Sequence, residues 1–498
     1  MKKMNPMTAV GLEREIERLY REGDDLQWVR ETAVNSFEAG AKRVHFGVEW
    51  EAVEKLGVYR RMVADNGEGM SPAKLIEYFN SYGASGRSLE DGVHGNFGIG
   101  SKTSLAWCEL GVVVLSWRDG KGSMIRMLKD PKTGKRGAET FEVEDGGEED
   151  VVEPFDEPGE VDWRKVKPDW IDQHGTVLVL CGNGRQPDTV LGDPRNPEVE
   201  SQSHAIAKYL NSRFFRMPTG CEVAVDELSL DRKQWPESQV DADGIRSRGK
   251  GFRGRTASGA EALIDSANLT ASGVVDLEVD GAKVHWFIQA KPPTSGSHRG
   301  VGKGGSIGTL YQDELFDNSS HSRRATMFGL WNEARRRIWL VIEPPAWEEN
   351  RPGSQGVYPS SARDHLKWHG GVMQGRELPL SDWAEAFRER TPQEISDALA
   401  EDHRASSDSK IDNDRVLRLI EKYGGRFESN RKRAKDRLRR DPSGAKAVAA
   451  ALGGELPRGA AGEEEREPAK PRARRRRPRT DGAVGNEPAR PIKAKEEK

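Results

Sequence analysis

The chain has 498 residues, of which 35% are hydrophobic and 32% are charged, and its formal net charge is −3. This length exceeds one ordinary hydrophobic core, so we expect two or three domains with polar tails. No apolar run reaches the roughly 18 residues that cross a bilayer, and the N-terminal residues lack the apolar stretch of a signal peptide. Three scattered cysteines are too few for a disulfide framework or a zinc site. These features predict a soluble, cytoplasmic protein that does not contact a membrane.

The first 80 residues alternate between helical and strand patterns. Apolar residues at helical spacing predict two helices, one ending at Gly23 and one ending at Gly40. Alternating apolar residues predict a strand over 44–50, and a second strand runs into Asp65. A short helix follows at Pro72. Later apolar runs predict strands over 112–117, 124–127 and 174–180, with the acidic stretch 142–162 as an insertion or loop.

Among the polar residues of the second helix, Glu31, Asn35 and Glu38 stand out by their spacing. Spacings of four and three residues place them along one helix face. A solvated face is the usual explanation for such a pattern. Asn is, however, a poor helix former with no obvious reason to lie in mid-helix, which favours a functional role.

A turn rich in carboxylates and glycines, Asp65-Asn-Gly67-Glu-Gly69-Met70, follows the second strand. An Asp at a strand end can accept a hydrogen bond from a ligand amino group, and glycines let the backbone pass close to that ligand. An ordinary surface turn is the alternative, because Asp, Asn and Gly are common turn residues.

A glycine-rich loop with Gly95, Gly98 and Gly100 opens a further helix. Free backbone N–H groups and the positive end of the helix dipole suit such a loop to phosphate. The loop lacks the directly preceding strand that a dinucleotide-binding turn requires. Gly175 and Thr176 then open a late buried strand.

These four motifs, in this order, resemble those of the GHKL ATPase superfamily, which includes gyrase B, the ninety-kilodalton heat-shock chaperones, histidine kinases and MutL. The resemblance covers roughly residues 10–185. It implies an α/β (α+β) fold, namely the two-layer Bergerat sandwich, with ATP held between helices and a mixed sheet.

The resemblance implies an adenine site at the turn. Asp65 would accept a hydrogen bond from the adenine amino group, and Thr176 would support Asp65 and the base through an ordered water. Gly67 and Gly69 would let the backbone approach the ring, and Met70 would pack on its face.

The resemblance also implies a phosphate site on the second helix. Glu31 would deprotonate the attacking water, and Asn35 would coordinate Mg²⁺. Glu38 stands where an Asp is more usual. The segment 82–98 would be a mobile lid, and the phosphates would meet the glycine-rich loop at Gly95, Gly98, Ile99, Gly100, Ser101 and Lys102. A lysine this early in a helix is more often solvent-facing, so its role stays open.

A carboxylate four residues before the metal-binding Asn is typical of the hydrolase branch of gyrase, heat-shock proteins and MutL. A histidine kinase would need a phospho-acceptor helical hairpin before this domain, and only about 25 residues without a His precede the helix. The sequence therefore favours an ATPase that cleaves ATP to ADP and phosphate.

The resemblance and the changes in composition predict four regions. An ATP-binding domain would cover 1–200, a transducer-like α/β domain 201–404, a basic helical segment 405–450 and a disordered basic tail 451–498. In the second domain we expect a linker over 241–273, a hairpin with a two-residue turn at Asp280-Gly281 and a strand over 338–342. Candidates for the residue that this domain contributes to the γ-phosphate are Lys303, Arg363 and Lys367.

Basic residues concentrate near the C-terminus. Eight Arg or Lys side chains stand against two carboxylates over 426–440, and 472–479 is an arginine run. Such segments can neutralise the phosphates of DNA without sequence preference, or they can serve as a solubilising tail.

Three functions remain open. The first is a DNA-associated ATPase of the MutL or MORC-like kind, closing as a homodimeric clamp. The second is a chaperone-like clamp on protein clients, and the third is a nucleotide-gated binding module without turnover. The metal-binding domain and tyrosine region of a topoisomerase are not recognisable in the second half. ATP and Mg²⁺ are the expected cofactors.

Overall fold

A computed structural model describes most of the first 408 residues of the chain. The described residues are 11–80, 106–143, 146–195, 205–228, 231–237, 252–265, 269–291, 305–331, 333–347, 353–360, 365–370 and 375–408. The chain divides into two units, Met1–Ser409 and Lys410–Lys498, and all of the described residues belong to the first. They form a mixed α/β fold, which confirms the predicted fold class.

The first part of the fold alternates helices and strands, as predicted. Its helices are α1 (Leu12–Glu22), α2 (Gln27–Glu38), α3 (Trp50–Leu56) and α4 (Pro72–Asn80). Its strands are β1 (Arg43–Glu49), β2 (Arg60–Asp65), β3 (Val112–Arg118), β4 (Lys121–Lys129), β5 (Arg136–Ala138), β6 (Phe141–Glu142), β7 (Glu148–Glu149) and β8 (Gly175–Leu180).

The later part contributes five more described helices and nine strands. The helices are α5 (Ala205–Arg213), α6 (Ala260–Asp265), α7 (Ser322–Met327), α8 (Leu380–Glu389) and α9 (Gln393–Asp408). The strands are β9 (Glu222–Leu228), β10 (Phe252–Ala257), β11 (Leu269–Asp276), β12 (Lys283–Gln289), β13 (Ile307–Tyr311), β14 (Glu314–Ser319), β15 (Ile338–Glu343), β16 (Gly356–Pro359) and β17 (Leu366–His369). No helix within the described ranges has the length and apolar character needed to cross a membrane.

An eight-stranded sheet, in the order β10-β9-β1-β2-β8-β3-β4-β5, forms the centre of the first part. Its strands pair antiparallel except for β1 and β9, which are parallel. Helices α2, α4 and α5 pack on one face through apolar residues such as Val29, Leu75 and Leu210. This face carries the candidate site, because α2 lies against the ends of the central strands.

The opposite face of this sheet is also covered, which was not expected from the sequence. Val161 and Trp163 are fully buried and pack with Ile171 and Ala52 of α3 against the sheet. The acidic stretch 142–162 is therefore more than an insertion or loop, because its C-terminal end supplies part of a second core. With both faces buried, β2 is buried along its whole length, as sheets covered on both sides require.

A five-stranded sheet, in the order β11-β12-β15-β13-β14, lies wholly within 201–404. Helices α8 and α9 pack on one face through Trp383, Phe387 and Ile395. On the other face, Phe287 and Trp339 pack with α6 and with Phe215, which follows α5. Strands β9 and β10 also lie within 201–404, but they belong to the eight-stranded sheet.

Two local predictions in this region were wrong. Much of the predicted linker 241–273 is regular, since β10, α6 and the start of β11 lie there. The predicted two-residue hairpin turn is longer, because Asp276 pairs with Lys283 and the six residues 277–282 connect the strands. Leu277 is fully buried, so the chain leaves the strand to place this side chain in the core.

The predicted strand 44–50 ends one residue early, because Trp50 begins α3. The side chain of Glu49 accepts a hydrogen bond from the backbone N of Ala52 at 3.0 Å and so caps this helix. Glu is not among the residues usually preferred at this position, so the local pattern contains no clear signal for α3.

Candidate functional site

Helix α2 places the predicted site residues Glu31, Asn35 and Glu38 in a largely buried environment. Glu31 is only 2% exposed, and Asn35 and Glu38 are half-buried. The alternative of a solvated helix face therefore does not describe Glu31. Because burying a carboxylate without partners is costly, the contacts of Glu31 show what keeps it there.

Both hydrogen bonds to the Glu31 carboxylate within the described part of the chain end on the same oxygen. Oε1 accepts from Gln27 Nε2 at 2.6 Å and from Arg30 Nη1 at 2.7 Å. The carboxylate is thus held in place through Oε1. Its second oxygen, Oε2, keeps lone pairs that can accept a proton from water.

Asn35 lies one turn further along α2 and is oriented by α4. Its Oδ1 accepts a hydrogen bond from the Tyr78 hydroxyl at 3.1 Å. An amide oxygen has two lone pairs, so this contact leaves capacity for another partner. Tyr78 was not identified from the sequence, because nothing in its local pattern distinguishes it from a packing aromatic.

Asp65 ends β2 beneath the C-terminal part of α2 and is 8% exposed. Ser36 Oγ donates to its Oδ2 at 3.0 Å, and the backbone N of Gly67 donates to its Oδ1 at 2.8 Å. Burial raises the pKa of Asp65 to about 6, although hydrogen bonds from Gly67, Ser36 and the Thr176 backbone favour the charged form. Ser36, the residue after Asn35, thus anchors α2 to the turn that begins at Asp65.

Thr176 lies beside Asp65 in the sheet, since the two residues are register partners on β8 and β2. The Thr176 and Ser116 hydroxyls are 3.0 Å apart, and the backbone N of Met70 donates to Ser116 Oγ at 2.8 Å. Ser116 is fully buried and so ties the turn to β3 and β8. A polar residue within the apolar run of β3 was the one available signal for Ser116.

The glycines of the turn are required by packing within the protein. A Cβ atom at Gly67 would lie 2.7 Å from the Cβ of Ala39. Gly69 has a φ of 64°, and a Cβ there would lie 1.9 Å from the carbonyl oxygen of Trp117. Close approach to a ligand remains a prediction for both residues, because the protein's own contacts already explain the need for glycine.

Several predicted site residues lie outside the described ranges. They are the lid 82–98 and the loop residues Gly95, Gly98, Ile99, Gly100, Ser101 and Lys102, together with Lys303 and Arg363 of the later part. Lys367 is described and lies half-buried on β17. The structure thus brings together Glu31, Asn35, Asp65, Met70 and Thr176, and leaves the phosphate loop as a prediction.

Part of the chain matches a known protein family. Residues 28–146 match the family described as "Histidine kinase-, DNA gyrase B-, and HSP90-like ATPase". The resemblance to the GHKL superfamily is thereby confirmed for this part of the chain, which is an ATP-binding domain of that type. No curated protein sequence matches the chain.

One solved structure similar to the chain is described as "Crystal Structure of N terminal domain of a DNA repair protein". It is 12% identical, and the match covers 77% of this chain and 98% of the other with a TM-score of 0.39. A likeness at this TM-score carries no argument about fold or function.

Substitution of Gly69 tests the packing of the turn. We expect Gly69→Ala to destabilise the fold by about 3 kcal/mol, since it adds both an unfavourable φ and an overpacked contact. Gly120→Ala is the matched control, because Gly120 has a φ of 76° and an added methyl group there would meet no atom within 4 Å. Thermal unfolding of both variants measures the difference, and equal loss of stability would contradict the steric argument.

The raised pKa of Asp65 predicts a pH-dependent stability. Between the unfolded value of about 3.9 and the folded value of about 6, the folded state binds more protons than the unfolded state. Stability therefore falls as the pH rises through this range. Relative to Asp65→Asn, the wild type should lose about 3 kcal/mol between pH 4 and pH 7, at about 1.4 kcal/mol per pKa unit.

Chemical unfolding of the two proteins across this range measures the effect. Glu49 and Glu227, whose pKa values burial also raises to about 7, are present in both and cancel in the difference. A difference that does not change with pH would show that Asp65 is not a strained, buried carboxyl.

Proposed function

We propose that this domain hydrolyses ATP to ADP and phosphate, with adenine at Asp65 and the γ-phosphate near Glu31. The observation that supports this is the single helix α2. Ser36 of α2 bonds to Asp65, while Glu31 lies five residues earlier on the same helix. At a rise of 1.5 Å per residue, this separates the two functional ends by about 7.5 Å along the axis, so one helix can position both ends of a nucleotide.

The adenine end has the hydrogen-bonding capacity that the base requires. The two oxygens of Asp65 accept three bonds from the protein, from Ser36, Gly67 and the Thr176 backbone, and an ionised carboxylate has about four lone-pair sites. Asp65 can therefore accept a bond from the exocyclic amino group of adenine. Guanine presents a carbonyl oxygen at that position, which a carboxylate would repel, so the site selects adenine.

At the phosphate end, Glu31 acts as the general base. It takes a proton from water on Oε2 as the water oxygen bonds to the γ-phosphorus and the bond from that phosphorus to the leaving ADP oxygen breaks. The contacts of Oε1 with Gln27 and Arg30 hold the carboxylate in one orientation. Orientation of the base is the part of this chemistry that the protein must supply.

Asn35 is the residue that would hold Mg²⁺ in this proposal. An amide oxygen suits this hard cation, which usually takes one or two protein ligands together with phosphate oxygens and water. The described residues contain no cluster of three or more His, Cys, Asp or Glu that could hold a metal ion. When bound, the ion would neutralise charge on the phosphates.

Substitution of Glu31 separates binding from hydrolysis. We expect Glu31→Ala to bind ATP within about threefold of the wild type and to lower kcat by about 10²-fold to 10⁴-fold, the usual contribution of a general base. Calorimetric titration measures binding and phosphate release measures turnover. Glu22→Gln, at an exposed position on α1, is the control.

Hydrolysis by Glu31→Ala at the wild-type rate would show that the base assignment is wrong. Binding without turnover in the wild type itself would instead favour the nucleotide-gated module.

We further propose that DNA is the partner of the basic C-terminal segments. The local charge of +6 over 426–440 and the arginine run at 472–479 support electrostatic binding to a phosphate backbone. Closure of the ATPase domain around DNA, as a homodimeric clamp, is the form of coupling that we propose.

The salt dependence of binding tests the DNA proposal in the full chain. We expect Arg475→Gln/Arg476→Gln to lower the slope of log K against log salt by about 2, since each arginine that neutralises a phosphate contributes about 0.9 to this slope. Arg14→Gln/Arg21→Gln, with both positions exposed on α1, should leave the slope unchanged. Absence of salt-sensitive binding by the wild type would contradict the proposal and favour a clamp on protein clients.

A further inference from the structure

Arg30, the residue before Glu31, links the proposed base to the second sheet. Its Nη1 donates to Glu31 at 2.7 Å, and its Nε and Nη2 donate to the two oxygens of Glu314 at 2.9 and 2.5 Å. The side chains of Arg30, Glu31 and Glu314 are each 2% exposed. A bidentate pair of this kind fixes the plane of the guanidinium group, and so fixes where Nη1 meets Glu31.

Glu314 is itself held in place by a tight hairpin. It is the first residue of β14 and follows the turn residues Gln312 and Asp313, whose φ values of 48° and 64° are those of the tight hairpin turn with two left-handed residues. The backbone N of Phe215 donates to the Asp313 carbonyl at 2.7 Å. Arg213 at the end of α5 donates through Nε to Glu314 Oε2 at 2.9 Å. The hairpin tip is therefore docked on α5, beside α2.

Among the described residues, the buried charges of this cluster are balanced. Two arginines, Arg30 and Arg213, face two glutamates, Glu31 and Glu314. Burial opposes the charged form of Arg30, but the Glu314 and Glu31 carboxylates outweigh it and raise its pKa, so Arg30 stays charged. Removal of one charge from such a cluster leaves another without compensation, which gives every member an influence on the others.

We propose that Glu314 is a positioning residue for ATP hydrolysis, acting through Arg30 on Glu31. This inference rests on the proposed hydrolysis. By occupying Nε and Nη2 of Arg30, Glu314 limits the arginine to a single bond with Oε1 of Glu31. Oε2 is thereby left for the attacking water.

Loss of the Glu314 carboxylate frees the second edge of the Arg30 guanidinium. Arg30 can then pair with both oxygens of Glu31 as a fork, which closes Oε2 to water. Turnover thus depends on the hairpin of the second sheet being docked, although Glu314 touches neither ATP nor water.

Glu314→Gln tests this role, since it keeps the size of the side chain and removes its charge. We expect kcat to fall by about 10²-fold, the scale of a misplaced catalytic group, with the affinity for ATP unchanged. Glu261→Gln is the matched control. Glu261 makes a bidentate pair with Arg216 at 2.7 and 2.8 Å next to the same hairpin. Glu261 pairs with Arg216 and not with Arg30, which holds Glu31. The kcat of the Glu261→Gln variant should therefore match that of the wild type.

A double-mutant cycle distinguishes positioning from a general structural effect. If Glu314 acts only through Arg30, then adding Glu314→Gln to an Arg30→Met variant should not lower kcat further. If kcat of the double variant is lowered by the product of the two single-variant factors, the proposal is overturned. Should Glu314→Gln fail to fold, as shown by loss of ATP binding, Glu314→Asp takes its place, because its carboxylate is one methylene group too short to hold both Nε and Nη2 of Arg30, and the same loss of kcat is expected.

Failure of this inference is distinguishable from failure of the proposed function. Wild-type turnover that Glu31→Ala abolishes but Glu314→Gln leaves unchanged would overturn only the positioning role. Absence of turnover in the wild type would overturn both.

Discussion

The hydrogen bond from Ser36 to Asp65 joins the helical layer to the sheet at the proposed nucleotide site. It fixes the C-terminal half of α2 over the end of β2, and the positions of Asn35 and Glu31 follow from the helix geometry. The turn after Asp65 is fixed in the same way, because Met70 is bonded to Ser116 of β3. In the proposed function, recognition of adenine and cleavage of the γ-phosphate thus both depend on one helix.

The proposed site also depends on an electrostatic contact between residues that are far apart in sequence. Arg30 joins Glu31 to Glu314 on β14, 284 residues away in sequence. Buried charges require compensation, so the proposed base is stable in the interior only while its partners are in place. The later sheet is therefore part of the environment of the site as well as a neighbouring layer.

Local pattern was sufficient to predict much of the fold and site. Helical spacing placed Glu31 and Asn35 on one face of α2, and strand alternation followed by a turn placed Asp65 at the end of β2. What escaped prediction depends on contacts between residues distant in sequence. Tyr78 looks like an ordinary packing aromatic, and Ser116 differs from its neighbours only in being polar within an apolar run, so the partners of both were not predictable. The burial of Trp163 was not predicted, because this residue directly follows the acidic stretch 142–162, where few apolar residues form a periodic pattern.

The local sequence also does not show which distant residues stabilise the site and the turns. Nothing in the residues around position 314 indicates that a glutamate there compensates a charge on α2, and nothing local shows that Leu277 lengthens a hairpin turn by burying itself. Nothing local shows that a protein carbonyl lies where a side chain at position 69 would be, and close approach of Gly69 to a ligand stays a prediction. The type of site was therefore predictable. The buried ion-pair network around the proposed general base, Glu31, was not.

In the proposed function, water activated by Glu31 cleaves ATP in this domain. The most direct measurement is the isotopic content of phosphate released from ATP in water enriched in heavy oxygen, for the wild type and for Glu31→Gln. We expect the wild type to release phosphate carrying one heavy oxygen atom from solvent, and the variant to bind ATP but release almost none. Equal release by both proteins, or none by either while ATP remains bound, would contradict the account.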